Sequence, residues 1–349
     1  MPVTLIVGTG KGAFICRSKD RATWEIDGPQ LKGWKTTAST RTASGRWLVA
    51  TTSQVYGAAL HKSGDLQAWE QIESGPAYPE GGKKKLHQIW TLTSAGDRVY
   101  AGVDTAGLFY SDDDGDSWYP VPALNDHPTS KSWFPGAGGL CAHCVLVDPK
   151  NEARIWVGIS AVGVWRSDDG GDTWHAKNDG IDHVIEDKEF KEIGFCIHGL
   201  AADPDDADTI WRQDHTGMFV TRNGGDTWEP SGEGLVSWFG FPVACDPVTR
   251  NLFAFPMESD EFRMPKDGVF HVYRSTDGGK SWHPRTAGLP EIPTYAGVLR
   301  AAMAVDGQGG VYFGSTAGKV YASTDGGDTW QALPHTLPRV LSVEAYPDG

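Results

Sequence analysis

Ser323-Thr324-Asp325-Gly326-Gly327-Asp328-Thr329-Trp330 is one of five near-copies of a single octapeptide, the others spanning 275–282, 221–228, 167–174 and 111–118. Each copy follows a short run rich in Val, Tyr or Phe, such as Val320-Tyr321 or Leu108-Phe109-Tyr110. A β-prone run, glycines that tolerate positive φ, and a Trp opening the next run together read as a hairpin. The Asp can cap backbone N–H groups inside the turn, and the Trp can fill the gap between neighbouring sheets. The octapeptide is thus a folding element repeated along the chain rather than a site of chemistry.

Two worn copies extend the series, Ser18-Lys19-Asp20-Arg21-Ala22-Thr23-Trp24 and His61-Lys62-Ser63-Gly64-Asp65. A repeat of about fifty residues running end to end predicts one domain, 1–349, folded as an all-β, seven-bladed β-propeller. Blade one begins at its second strand, so its innermost strand is expected near the C-terminus. Blade one is then shared by 3–26 and 338–347, and the ring is closed by N- and C-terminal strands in one blade.

The pattern Ser-x-Asp-x-Gly-x-Thr-Trp resembles the Asp-box, or BNR, repeat of sialidases, xyloglucanases, sortilin-type receptors and a plastid photosystem assembly factor. The resemblance implies a propeller. It leaves function open, because those families include hydrolases, sorting receptors and scaffolds.

Fifteen Trp and 44 Gly suit many short strands joined by tight turns. A net charge of −14 argues against nucleic acid or an anionic membrane as partner, since either rewards clustered Lys and Arg. Lys83-Lys84-Lys85 is the only basic run and reads as an exposed loop. The first residues carry no signal-peptide pattern, no span suits a bilayer, and five cysteines do not make a disulfide framework. The expectation is a reduced, cytoplasmic protein. Gly8-Thr9-Gly10-Lys11-Gly12 lacks the spacing of a phosphate loop, so neither a nucleotide nor a flavin is expected. Nothing in the sequence indicates an oligomeric state.

Function is expected in the loops that vary most, 71–85, 119–139, 175–194 and 283–298, and in an insertion at 256–268; a propeller would gather them at one mouth of its channel. The segment 179–192 reads as a short acidic helix or lid.

Aligning the blades by their second strands places His87, His143 and His198 at one position, near the start of the innermost strand. Lys35 takes that place in blade two, and Arg300 adjoins it in blade seven. Cys141 and Cys196 each precede their histidine by two residues. Convergent imidazoles can bind Zn, Fe or Cu and leave a position open for substrate. They can equally act without metal as acids, bases or anion holders, or simply bond a neighbouring backbone group. Asp214-His215 is a second candidate, because sister blades fill that turn with small residues.

The sialidase resemblance implies an arginine triad, a Tyr–Glu nucleophile pair and an Asp acid. Phe262-Arg263-Met264-Pro265 looks like the Arg-Ile-Pro motif of that family but falls inside an insertion, and Arg300, Arg339, Tyr295, Glu258 and Asp260 are the available counterparts in the wrong order. The xyloglucanase resemblance implies two carboxylates across an aromatic-lined groove, to which Trp90, Trp133, Phe134, Trp238 and Phe239 could contribute.

The leading expectation is an enzyme, a hydrolase or lyase acting on a small-molecule or glycan-like substrate at the loop-rich mouth. His87, His143 and His198 would form its polar centre, with or without metal. Arg300 or Arg263 would hold an anionic group, and Asp214 or His215 would assist proton transfer. A non-catalytic binding or assembly scaffold and a sialidase-like glycosidase are the alternatives.

Overall fold

The computed structural model describes residues 2–185, 187 and 189–347. Within them the chain is all-β: 28 strands, one short helix at Pro122–Asn125, and 3-10 turns at Pro128–Ser132 and Lys266–Gly268. No helix among the described residues is long and apolar enough to cross a membrane.

The octapeptides form the turns that their chemistry predicts. Asp277 Oδ1 accepts hydrogen bonds from Ser275 Oγ at 2.7 Å and from the Ser281 N–H at 3.0 Å, while Oδ2 accepts from Ser281 Oγ at 2.6 Å. Ser275 Oγ in turn accepts from the Gly279 N–H at 2.9 Å. Gly278 and Gly279 take φ of +73° and +85°, a region that strains any side chain with a Cβ. The same bonds recur in the boxes at 167–174 and 323–330. In the worn copies Asp20 still accepts from the Ala22 and Thr23 N–H groups, and Asp65 from those of Gln67 and Ala68. At 221–228 an Asn replaces the Asp, yet Asn223 Oδ1 accepts from the Thr227 N–H at 3.0 Å and its Nδ2 donates to Thr227 Oγ1. The box Trp residues are buried.

The chain divides into two compact units. The described residues of the first are 2–36, 198–221 and 229–347; the second comprises 37–197 (less the undescribed positions) and 222–228. In the first unit, one eight-stranded sheet runs in the order Gln331–Ala332, Val320–Ser323, Val311–Ser315, Val298–Val305, Val340–Pro347, Val3–Thr9, Gly12–Ser18 and Glu25–Gln30. Val3–Thr9 pairs antiparallel with Val340–Pro347, with Val7 opposite Val343. The halves of this sheet meet through the parallel pairing of Ala301 with Ser342. Two four-stranded meanders accompany it, one built from Ile197–Ala202, Ile210–Asp214, Met218–Thr221 and Glu229–Pro230, the other from Gly240–Cys245, Leu252–Pro256, Val272–Ser275 and His283–Arg285. Box Trp residues fasten one sheet to the one before it: Trp282 Nε1 donates to Ser231 O at 2.6 Å and Trp330 Nε1 to Arg285 O at 3.1 Å. Phe313 anchors the core of this unit, with the rings of Phe255, Phe270, Tyr321 and Trp330 all within 6 Å of its centroid.

The second unit holds three meanders of the same kind, opened by Lys35–Arg41, Gln88–Ala95 and Ala142–Asp148. Within 179–192, Glu186 and Lys188 lie outside the described residues, and the remainder forms turns and bends in place of the expected helix. Asp187 Oδ1 takes the Glu189 and Phe190 N–H groups, and His183 Nε2 meets Lys191 O at 2.8 Å. Side-chain bonds to nearby backbone thus compete successfully with helix formation.

The worn first box has one further duty. Arg21 is buried with its Nε 2.8 Å from Asp306 Oδ2, and its Nη2 donates to Gln308 Oε1 at 2.6 Å. Asp306 also accepts from the N–H groups of Gln308 and Gly310 and from the Tyr312 hydroxyl at 2.8 Å. Removing one partner of a buried ion pair strands the other, so Arg21→Ala should cost about 3 to 5 kcal/mol in urea unfolding.

A second expectation concerns the boxes. Bonds from Ser281, from Thr173 and from the Thr23 backbone hold the carboxyls of Asp277, Asp169 and Asp20 down to about 2. Their contribution is complete above the ordinary carboxylate pKa of about 3.9 and disappears as pH falls through about 2. The urea midpoint should therefore be insensitive to these groups between pH 5 and 7 and drop below about pH 4. Asp277→Ala should lower stability by about 1 kcal/mol, as for the loss of a helix cap, and Asp277→Asn by less, because Asn223 already fills that role.

Candidate functional site

Seven of the sequence-predicted site residues, Lys35, His198, Asp214, His215, Trp238, Arg263 and Arg300, lie in the first unit. His198 sits in the strand Ile197–Ala202, only 2% exposed, and its Nδ1 meets Gly240 O at 2.7 Å. Its ring packs against Phe239 and Phe241, with centroids 5.1 and 4.9 Å away, and lies 5.6 Å from the ring of His215. His215 follows the strand Ile210–Asp214, stands on Phe239 at 5.3 Å, and keeps 29% of its side chain exposed. Its Nε2 is 3.7 Å from Asp260 Oδ2, in the insertion at 256–268.

Two arginines meet the same aromatic floor. Arg300, in the strand Val298–Val305, holds its guanidinium 4.6 Å from the centroid of Phe241. Arg263, exposed on the insertion, holds its own 5.8 Å from that centroid and donates Nε–H to Asp260 O at 2.9 Å. Phe239 and Phe241 are buried and 5.3 Å apart. Phe239 and Phe241 thus gather two guanidinium groups, two imidazoles and, through His215, the Asp260 carboxylate into one cluster. Cation–π contact fixes the arginines without consuming their charge.

Asp214 does not take part as the sequence reading expected. It is fully buried and accepts from Arg212 Nε at 2.8 Å and Nη2 at 2.5 Å, while its Oδ1 accepts from the Thr216 N–H. A carboxylate committed to a guanidinium in the interior holds the turn that presents His215. Successive residues point apart on extended backbone, so Asp260 rather than Asp214 is the carboxylate that faces His215. Trp238 stays at the rim, 73% exposed, with its carbonyl accepting from Gln213 Nε2. Lys35 is half-buried at the start of its strand.

The remaining candidates belong to the second unit. His143 is buried, and both its ring nitrogens are engaged, Nδ1 with Cys144 Sγ at 3.1 Å and Nε2 with Ile197 O at 3.1 Å. His87 is exposed, ahead of the strand Gln88–Ala95. Both ring nitrogens of His143 meet protein atoms, and Nδ1 of His198 meets a carbonyl, a bond that a metal-ligating imidazole also makes through its second nitrogen. Each of the two buried histidines meets the carbonyl of the first residue of another strand, His143 through Nε2 and His198 through Nδ1. Trp133 is core rather than platform: it is buried, packs 6.0 Å from Trp165, and donates Nε1–H to Thr129 Oγ1. Trp90 is partly buried within its strand.

Sequence reasoning assigns no role to Phe241 and names Asp260 only as a sialidase counterpart. The signal available was the Phe239-Gly240-Phe241 run at the head of a strand, followed by the one insertion that carries both Asp260 and Arg263.

Residues 273–284 match the BNR/Asp-box repeat. No curated protein is detectably similar to the chain in sequence. In structure it is similar to YCF48 bound to D1 peptide, with a TM-score of 0.56 and 15% identity over 86% of this chain and 82% of that one. It is similar to an ancestral GH74 enzyme at a TM-score of 0.57 and 15% identity, over 85% of this chain but only 38% of that longer one. A catalytically inactive virginiamycin B lyase from Staphylococcus aureus, solved with quinupristin, gives 0.54 and 12% identity over 86% of this chain and 84% of its own. At such identities the likeness is one of fold. The chain carries the BNR/Asp-box repeat on an all-β fold shared with proteins of the β-propeller type.

Proposed function

We propose that this chain is an enzyme, a hydrolase or lyase, acting on a small polar or sugar-like substrate at the cluster gathered on Phe239 and Phe241. The observation that carries this is the placing of His215, 3.7 Å from Asp260, on the same aromatic floor as Arg263 and Arg300. Histidine trades protons near neutral pH, and a neighbouring carboxylate orients its ring and steadies the imidazolium. The guanidinium pair supplies the complementary half of such a site, a fixed positive field where negative charge sits or develops. A single seven-bladed ring with blade one built from both chain ends, and a reducing, cytoplasmic setting for the five free cysteines, complete the proposal. The fold likeness includes both an ancestral GH74 enzyme and a lyase, which supports chemistry of either kind on this scaffold.

A second function is favoured by a different observation. Trp238, Ile292 and Tyr295 are 73%, 74% and 68% exposed on loops of the first unit, more apolar surface than a small-substrate enzyme requires. A peptide-binding scaffold would use such side chains, and the similar YCF48 structure holds a peptide.

A panel of chromogenic esters and glycosides separates the two. On whichever substrate is turned over, His215→Ala should lower kcat by about 10²- to 10⁴-fold. Asp260→Asn should give a smaller loss and an altered pH–rate profile, both with unchanged circular dichroism. Turnover indifferent to His215 would overturn the catalytic assignment. Peptide binding that depends on Trp238 without any turnover would establish the scaffold.

A further inference from the structure

His143 and Cys144 are adjacent on the strand Ala142–Asp148, yet their side chains meet, Nδ1 to Sγ at 3.1 Å. Neighbours along an ordinary strand point to opposite faces. Here the pairing shifts between Ala142, opposite Ile159, and Cys144, opposite Gly158, so His143 is the extra residue of a β-bulge. A bulge re-aims a side chain, and this one turns the imidazole onto the thiol that follows it. Gly158 makes room for that thiol, since a Cβ there would stand 3.1 Å from Cys144 Cβ and 3.2 Å from Ile197 Cγ1. Cys144 remains partly exposed.

The far side of the imidazole decides where its proton sits. Nε2 is 3.1 Å from Ile197 O, and a carbonyl only accepts, so Nε2 carries the hydrogen. In the neutral ring Nδ1 is then the acceptor, and the Cys144 S–H donates to it. From that arrangement a thiolate–imidazolium pair forms by a short proton transfer. Elsewhere in the chain Cys141 is fully buried, Cys196 is 9% exposed, and burial pushes the thiols of Cys16 and Cys245 up to about 12. We propose that Cys144 is a site of reversible oxidation by small hydroperoxides, with His143 as its base. The Sγ proton passes to His143 Nδ1, and the thiolate attacks the terminal oxygen of the hydroperoxide. An S–O bond forms as the O–O bond breaks, and the departing oxygen takes the proton back from Nδ1. The products are a cysteine sulfenic acid and water or an alcohol, the sulfur having given two electrons to the peroxide. A half-buried thiol on a strand favours so small an oxidant over a bulky electrophile, and exogenous thiol restores it through a mixed disulfide. Nothing in this chemistry draws on His215.

Timed exposure of the full chain to hydrogen peroxide near neutral pH, with dimedone present to trap sulfenic acid and mass-spectrometric mapping of every cysteine, tests the proposal. Cys144 should be labelled at least about tenfold faster than any other cysteine, because a few per cent of thiolate becomes mostly thiolate and the imidazolium protonates the leaving oxygen. His143→Gln can still donate to Ile197 O through its side-chain amide, so it removes the base and keeps the structural bond. With unchanged near-ultraviolet circular dichroism, that variant should label Cys144 about tenfold more slowly. Cys144 labelled no faster than the others, or equally fast in folded H143Q, would overturn the proposal. Should H143Q fail to fold, wild-type protein unfolded in urea takes its place: the lead of Cys144 should vanish there, and a lead that survives owes nothing to His143 and defeats the assignment. Prior treatment with EDTA should leave the rate unaltered; a rate changed by chelation would make His143 a metal ligand and end its role as base.

Discussion

The structure depends on one carboxylate doing three jobs within eight residues. In the boxes at 167–174, 275–282 and 323–330 the Asp draws in the Ser hydroxyl at the end of one strand and both the N–H and the hydroxyl of the residue immediately before the Trp. The turn is thereby closed from both sides, and the direction in which the Trp leaves it is set. A buried indole is large and rigid, so fixing its origin also fixes the spacing to the adjoining sheet. That is why Trp282 and Trp330 can reach carbonyls of the preceding sheet. The cap persists at Asp20 and Asp65, where much of the surrounding motif is lost, and at Asn223, where an amide stands in for the carboxylate.

A scaffold held this way from below is free to vary above. The candidate site uses the repeat only for its floor, where the inner strands supply His198, Phe239 and Phe241. Its reactive edge comes from departures from the repeat: a turn carrying Asp214-His215 where small residues are usual, and an insertion bringing Asp260 and Arg263. The buried Arg212–Asp214 pair joins the two levels, since an ion pair with no exposure holds the turn that presents a half-exposed imidazole.

How much of this could be read from the sequence follows from the range of each interaction. The boxes were legible because every bond in them spans four residues or fewer. The pairing of Val3–Thr9 with Val340–Pro347 was also legible, since the first repeat opens without the strand that precedes its counterparts in the later ones. The site was harder. Alignment found the slot of His143 and His198 but could not reveal that one ring nitrogen of each meets a backbone carbonyl distant in sequence. Trp133 reads as a platform by residue type, whereas only packing against Trp165 shows it to be interior. Arg263 and Arg300 were singled out separately, but the ring that brings them together, Phe241, belongs to neither segment. Asp214 illustrates the limit of adjacency: next to His215 in sequence, it turns inward to Arg212.

The meeting of Val3–Thr9 with Val340–Pro347 has a consequence for biosynthesis. Val3–Thr9, translated well before its partner, must wait with one hydrogen-bonding edge open until Val340–Pro347 has left the ribosome. The meanders in between can form as they emerge, because their contacts are between neighbours in the chain. The nascent protein therefore carries a long-lived sticky edge, a natural point for chaperone capture or for exchange with a second copy.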